Sequence, residues 1–255
     1  MAENDDLEAR MRALEWFHAL RVVPATWPVI RVDGRGFTRL VEQYFDRPFD
    51  VRFHQIMVQT ARTLLQELHG VYAFTESDEI SVVLHPDTDL FHRELEKLVS
   101  ISAGVASATF SLELGKPAHF DGRVWMGPRL EHVVDYLRWR QSDAARCALN
   151  TWCYWSLRKE GQTYEQVTAT LTGKNFSDKN ELLFARGINF NDVPLWQKHG
   201  VGVYPKRIEK QGLNPMTGEV TLAQRRQVVV DTELPRGDAY AEFITQLLQS
   251  ATRSA

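Results

Sequence analysis

Two short apolar runs end at carboxylates, and the spacing between them admits few folds. The first, Val29-Ile30-Arg31-Val32, is β-branched, reaches Asp33 and breaks at Gly34. The second, Ile80–Leu84, is preceded by Val71–Phe74, and the two read as hairpin strands around a polar turn over Thr75–Glu79. Between the first run and the hairpin, residues 50–68 place Val51, Ile56, Val58, Ala61, Leu64, Leu65 and Leu68 on one broad helical face, which Gly70 ends. A second helix spans about 89–112, with small residues over 100–108, and Phe120–Met126 is a further strand. The order β-α-β-β-α-β predicts one split unit of a ferredoxin-like antiparallel sheet with its helices on one face.

The flanks add to this unit without repeating it. Residues 5–20 read as an amphipathic helix through Leu7, Met11, Leu14, Phe17 and Leu20. Residues 128–172 are helical in pattern, 200–231 form a second hairpin around Asn214–Gly218, and a short helix follows from 237. The expected organisation is one compact α/β (α+β) unit: residues 1–127 as the sheet domain and 128–255 as a helical and β-hairpin extension.

Charge is unevenly distributed. Residues 1–120 hold 12 Lys/Arg against 18 Asp/Glu, and residues 121–230 hold 16 against 11. An acidic front and a basic second half suit a metal site beside a surface for a phosphate backbone, or two differently solvated faces. Cys147 and Cys153 are too few and wrongly spaced for a disulfide framework or a Cys-x-x-Cys motif. The acidic N-terminus is unlike a secretory signal, and no apolar run reaches membrane-helix length. A cytoplasmic location without membrane association is the expectation.

In this topology the end of the first strand and the hairpin tip meet, so Asp33, Asp78 and Glu79 converge at one sheet edge. Carboxylates so placed repel unless a cation lies between them. A hard ion such as Mg²⁺ takes oxygen ligands and completes its shell with substrate phosphates, and two such ions support displacement at phosphorus. Gly34 would let its carbonyl turn toward the ion. The plain alternative is an acidic turn with surface ion pairs, because Asp-Gly is a common turn dipeptide and Arg31, Arg35 and Arg39 lie nearby. The histidines show no ligand spacing. The segments Leu114–Pro117 and Thr172–Lys174 lack the upstream glycine of a phosphate loop.

Six ordered motifs go further: RVDGRGF, ESDEIS, FDGRV, DYLRWRQSD, LTGKNFSDKNELLF and GINFNDVP. Together, over about residues 28–204, they resemble the tRNA(His) guanylyltransferase family and its wider group of 3′-to-5′ polymerases. The resemblance implies a polymerase-palm-like domain and a two-step reaction. ATP or GTP activates the 5′-monophosphate of tRNA, and the 3′-hydroxyl of an incoming NTP then attacks the activated end. It implies two Mg²⁺ ions on Asp33, Asp78 and the Gly34 carbonyl, with Glu79 as the adjacent acid. Nucleotide contacts would come from Arg35, Gly36, Phe37, Ser77, Arg47, Asp50, Lys97, Lys179, Asn180, Asn189 and Asn191. Arg123 would lie near the RNA 5′ end, and the family usually forms a tetramer. From the sequence itself, Lys206, Arg207, Lys210, Arg225 and Arg226 in the second hairpin are candidates for the RNA backbone.

One departure bears on the subclass. Where eukaryotic members carry His-Ile-Asn-Asn-Leu-Tyr-Asn, this chain reads AARCALNTW over 144–152 and keeps only Asn150. That looks like the bacterial and archaeal members, for which templated repair of 5′-truncated tRNA is the expectation, with guanosine addition to histidine tRNA as the alternative. A nucleotide cyclase is a rival on the same topology, but ESDE is not its GGDEF-type turn. A non-catalytic tRNA-binding protein is another rival, and it would have no need of uncompensated carboxylates. Aromatic residues Trp139, Trp152, Tyr154 and Trp155 are read as core or as a base-stacking platform.

Overall fold

The computed structural model describes residues 2–213 and 220–252 of the chain, with side chains described over 6–209 and 225–252. Its six-stranded sheet is built from β1 (Trp27–Gly34), β2 (Tyr72–Glu76), β3 (Glu79–Val83), β4 (Phe120–Gly127), β5 (Val201–Leu213) and β6 (Val220–Asp231). The order is β4-β1-β3-β2-β5-β6, and every described pairing is antiparallel. The first four strands follow the expected split unit, and β5 joins it by pairing with β2 at Ala73↔Val203 and Thr75↔Val201. The extension thus continues the same sheet. Residues 214–219, which hold the expected turn of the second hairpin, and the side chain of Lys210 lie outside the described residues.

Alternation along the strands explains why their apolar runs are unbroken. Ile30, Val32, Ile80 and Val82 face α3 (Val51–Glu67) and α4 (Leu95–Leu114), in a core with Leu64, Leu65, Ala106 and Phe110. Val29, Tyr72, Phe74 and Val83 point the other way, onto Val133 and Leu137 of α5 (Leu130–Lys159) and Ile244 and Leu248 of α9 (Asp238–Thr252). Both faces are covered, so both phases of each strand must be apolar. Each such side chain contributes about 1.5–3 kcal/mol on full burial. The two helices of the split unit do share one face, and the extension supplies the other.

Helix α5, with 30 residues, is about 45 Å long at 1.5 Å per residue. Its first half covers the sheet. Its second half carries a third core, where Ala148, Leu149 and Cys153 pack with Leu183, Phe190 and Val193. Those partners come from α7 (Phe176–Phe184) and the turn over Phe190–Asp192; α6 (Tyr164–Leu171) and α8 (Leu195–His199) complete this region.

Two expected helices are shorter than their apolar spacing suggests. The N-terminal helix α1 covers Ala2–Arg12 only, and Leu14, Phe17 and Leu20 follow in turns with their side chains exposed. A short helix needs a packed face to persist, and no described element covers this one. The second long helix begins at Leu95, after a turn in which Phe91, His92 and Arg93 all have φ between 53° and 62°. The Arg93 guanidinium secures this left-handed stretch by donating to the carbonyls of Val22, Val23, Pro86 and Thr88.

Gly34 has a packing role that the sequence reading missed. A Cβ there would lie closer than 3.0 Å to three carbons of the Phe37 ring. Phe37 opens α2 (Phe37–Tyr44) and is buried against Phe53, Phe110 and Phe120. The glycine therefore seats the turn that follows β1, independently of any carbonyl ligand. Gly34→Ala is expected to lower unfolding stability by about 1–3 kcal/mol through overpacking, read as a fall in the urea midpoint at unchanged m-value.

Candidate active site

Strand register lays a row of acids across four strands. Asp121 on β4 pairs with Asp33 on β1, Asp33 with Glu79 on β3, and Glu79 with Glu76 on β2. Directly paired residues share a sheet face, and like charges so placed destabilise it. The hairpin turn between Glu76 and Glu79 consists of Ser77, at φ 48°, and Asp78. The backbone N–H of Gly34 donates to the carbonyl of Asp78 at 3.1 Å, which ties the turn to the end of β1.

Most of these acids have an arginine. Arg140, from the middle of α5, sits over the row with its side chain 6% exposed. It donates to Glu79 at 2.7 and 2.8 Å, to Glu76 at 3.1 Å and to Asp143 at 3.0 Å. Arg31 approaches Glu79 at 3.7 Å, Arg123 bonds Asp121 at 3.1 Å, and Arg146 pairs with Asp143. Asp33 and Asp78 differ. Among the described residues neither has a cation within ion-pair distance, and the side-chain partner of Asp78 is the Ser77 hydroxyl at 3.1 Å.

Their protonation reflects this. Burial, then the nearby charge of Asp33, pushes Asp78 up to about 6. Burial, with Asp121 beside it, raises Asp33. Burial and then Glu79 push Glu76 up to about 8, and Glu79 is raised by burial against the pull of Arg140 and Arg31. Among the described residues no three His, Cys, Asp or Glu side chains are placed to hold a metal on protein ligands alone. Two half-buried aspartates that repel each other nonetheless fit a hard divalent cation whose remaining ligands are phosphate oxygens.

Asp78 and Ser77 open onto a cavity of about 630 Å³ between the segment 37–57 and α5. Its walls are partly aromatic, from Phe49, Phe53, Tyr154, Trp155 and Trp196, with Arg47 among them. His54 stacks on Trp196 with ring centroids 4.2 Å apart, and burial lowers its pKa, keeping this wall neutral. Arg47 donates to the Thr38 carbonyl and lies 5.0 Å above the Trp155 ring. The volume suits a ligand of nucleotide size.

The expected site residues divide into those near this centre and those elsewhere. Asp33, Gly34, Ser77 and Asp78 meet at one sheet end; Phe37, Arg47 and Asp50 line the cavity; exposed Arg35 and Gly36 lie in the turn between. The expectation of three converging free carboxylates is corrected for Glu79, whose two oxygens are taken by Arg140. Asp50 is the N-cap of α3. It accepts from the N–H groups of Asp46 and Arg52 and from the Arg52 side chain, which outweigh burial and hold it down at about 2.

Lys97 pairs with Glu94 at 2.8 Å near the start of α4 and does not line the cavity. Lys179 donates to Asn150, Asn180 to its own helix at Phe176, and Asn189 caps the turn containing Asn191. None of these four lines the cavity. Arg123 shares the sheet face of Asp33, while exposed Lys206, Arg207, Arg225 and Arg226 lie on the second hairpin. Arg140, Glu76 and Asp121 went unnoticed in the sequence; the register Glu76↔Glu79 was the available signal.

Removing one partner of a buried ion cluster leaves the others uncompensated, at a cost of about 3–5 kcal/mol. Arg140→Leu should therefore destabilise the protein by that order at pH 8. Loss of the guanidinium raises the folded-state pKa of Glu76 and Glu79 further above the unfolded value. The part of the deficit due to Glu76 and Glu79 should thus vanish below about pH 4.5 and grow as pH rises through the folded-state values, while the part due to Asp143, whose carboxyl is held below its usual value, persists; urea melts across pH will show the trend.

Known proteins of one family match this chain over most of its length. A family model described as tRNAHis guanylyltransferase matches residues 8–128, and one described as Thg1 C terminal domain matches 131–235. The chain is 32% identical over 241 residues to tRNA(His) guanylyltransferase 2 of Arabidopsis thaliana, covering 89% of this chain but 43% of that protein. It is 34% identical over 199 residues to the probable tRNA(His) guanylyltransferase of Drosophila melanogaster, covering 73% of this chain and 70% of that one. A bacterial tRNA(His) guanylyltransferase (Thg1)-like protein solved in complex with GTP superposes with a TM-score of 0.75 at 25% identity, covering 95% of this chain and 99% of that one. A bacterial protein of the same description in complex with ATP gives 0.74 at 26%, covering 94% and 98%. With both halves of its length matched, the chain belongs to the tRNAHis guanylyltransferase family.

Proposed function

We propose that this protein is a Mg²⁺-dependent nucleotidyltransferase that adds nucleotides to the 5′ end of tRNA in the 3′-to-5′ direction, templated by the opposite strand. One observation carries the reading: among the described acids grouped at this sheet end, Asp33 and Asp78 alone have no arginine within ion-pair distance, and Asp78 lines a nucleotide-sized cavity with Asp33 beside it on the neighbouring strand. Such a pair favours an external cation and the phosphates that accompany it. Held by Asp33 and Asp78, with the Gly34 carbonyl beside them, magnesium would neutralise phosphate oxygens at the reacting phosphorus.

The chain's own groups account for the rest. The aromatic walls take the base, and Arg47 and Ser77 hold the triphosphate. Arg140 keeps Glu79 and Glu76 fixed beneath the site. In the first step a 5′-phosphate oxygen of the RNA attacks the α-phosphorus of ATP or GTP, and pyrophosphate leaves. In the second the 3′-hydroxyl of an NTP attacks the RNA 5′-phosphorus, and the activating mononucleotide leaves. Phosphoryl transfer of this kind depends on positioning and charge neutralisation. Templated addition is favoured over guanosine addition to histidine tRNA because segment 144–152 lacks the histidine-containing motif. The cations of the second hairpin supply a surface for the tRNA backbone.

The test uses 5′-monophosphorylated tRNA lacking its first nucleotide, beside full-length histidine tRNA, with Mg²⁺, ATP and each NTP. Extension of the truncated tRNA with the complementary base is expected, falling about 10³-fold or more in Asp33→Ala and Asp78→Ala. Guanosine added only to the histidine tRNA would overturn the templated reading.

Stability supplies an independent check. Asp78 and Glu76 have folded-state pKa values of about 6 and about 8, above their unfolded values. The metal-free protein therefore binds more protons than its unfolded chain, and its Tm should fall as pH rises from about 4 to about 8. Millimolar Mg²⁺ with ATP should recover the part due to Asp78, and Asp78→Ala should abolish that recovery.

A further inference from the structure

Beyond the nucleotide cavity lies a second cleft, of about 510 Å³, lined by Asp46, Arg47, Trp155, Arg158 and Lys159. It shares Asp46, Arg47 and Trp155 with the larger cavity, so the stacked pair of guanidinium and indole forms the wall between them. Three cations against one carboxylate, with an aromatic ring among them, are unusual for a solvated helix end. The negative end of the α5 dipole accounts for some attraction of Arg158 and Lys159, and Arg158 also donates to the Gln162 carbonyl at 2.7 Å. Neither fact explains Arg47, whose Nη2 donates to the Thr38 carbonyl and whose Nε is buried without a hydrogen-bond partner.

We propose that this cleft binds an unpaired RNA strand, its phosphates on Arg158 and Lys159 and one base against Trp155, with Arg47 in the wall shared with the nucleotide cavity. The inference rests on the function proposed above. Ser77 and Asp78 line the larger cavity and not the cleft. The reacting triphosphate belongs beside those two residues, so the cleft suits a second phosphate-bearing chain. A tRNA with a shortened 5′ strand presents such a chain, because the opposite strand is left unpaired. A cationic groove with an aromatic platform is how single strands are held without sequence preference. Of the four aromatic residues grouped on α5, Trp152 is occupied in packing, its Nε1 bonded to Gln197, and Trp155 is the one that faces both spaces.

The test is fluorescence anisotropy with two labelled acceptor-stem hairpins, one blunt and one lacking its 5′-terminal nucleotide, over a range of salt. Wild-type protein should prefer the hairpin with the unpaired strand. Trp155→Ala should weaken that complex about five- to a hundredfold, as loss of one stacked base does, and Trp155→Phe should restore most of it. Arg158→Gln/Lys159→Gln should make the slope of log affinity against log salt shallower by about 1.4, or ~0.7 per lost phosphate contact on a single strand. A pure folding defect would not change that slope. Equal losses for both hairpins, an unchanged slope, or a matching loss in ATP titrations of the Arg158→Gln/Lys159→Gln variant would overturn the assignment, the last by giving the cleft to the nucleotide's own phosphates. Wild-type protein that bound neither hairpin would overturn the tRNA reading as well.

Discussion

Keeping a row of carboxylates at one end of an antiparallel sheet is the constraint around which this structure is arranged. Asp121, Asp33, Glu79 and Glu76 occupy paired positions on four neighbouring strands. Unopposed, each adjacent pair would disfavour the sheet. Arg140 resolves half of the row by spanning Glu79 and Glu76, and it comes from α5, outside the β-α-β-β-α-β unit. The ion cluster therefore joins the extension to the sheet beside the apolar contacts of Val133 and Leu137. What it leaves without a counter-ion is as informative as what it neutralises. Asp33 and Asp78 remain with raised pKa values and, among the described residues, no arginine within ion-pair distance.

The sheet was legible because its periodicities were simple. The stop at Asp33-Gly34, the helix over 50–68 and the polar turn before Ile80 each have local causes, and the strand order follows from them. The positions of Asp33 and Asp78 were readable for the same reason, since both end or join strands. Arg140 was not, because a single arginine 61 residues from Glu79 has no local signature. Its partner Glu79 was accordingly misread as a free acid. Gly34 was credited with freeing a carbonyl, whereas the ring of Phe37 already requires a glycine there. Asp50 was read as a nucleotide contact and is fully engaged as a helix cap, a role its position before Val51 could have shown. The resemblance assigned Lys97 a phosphate contact; in the structure it pairs with Glu94 and does not line the cavity.

The cavity links these features to chemistry. Segment 37–57 brings aromatic side chains and Arg47 to face α5, and the hairpin turn supplies Ser77 and Asp78 at one side. Aromatic side chains, a guanidinium and a carboxylate are thus brought to one cavity by different elements of the fold. The second hairpin, continuing the sheet through β2, carries exposed cations away from this centre.

The account stands on Asp33 and Asp78 together holding a divalent cation. Electron paramagnetic resonance of Mn²⁺, titrated into the protein with and without ATP, measures this directly. Binding that is tightened by ATP and lost in both Asp33→Ala and Asp78→Ala, but kept in Lys97→Ala, is the predicted result. Mn²⁺ binding unchanged by either aspartate substitution would contradict it.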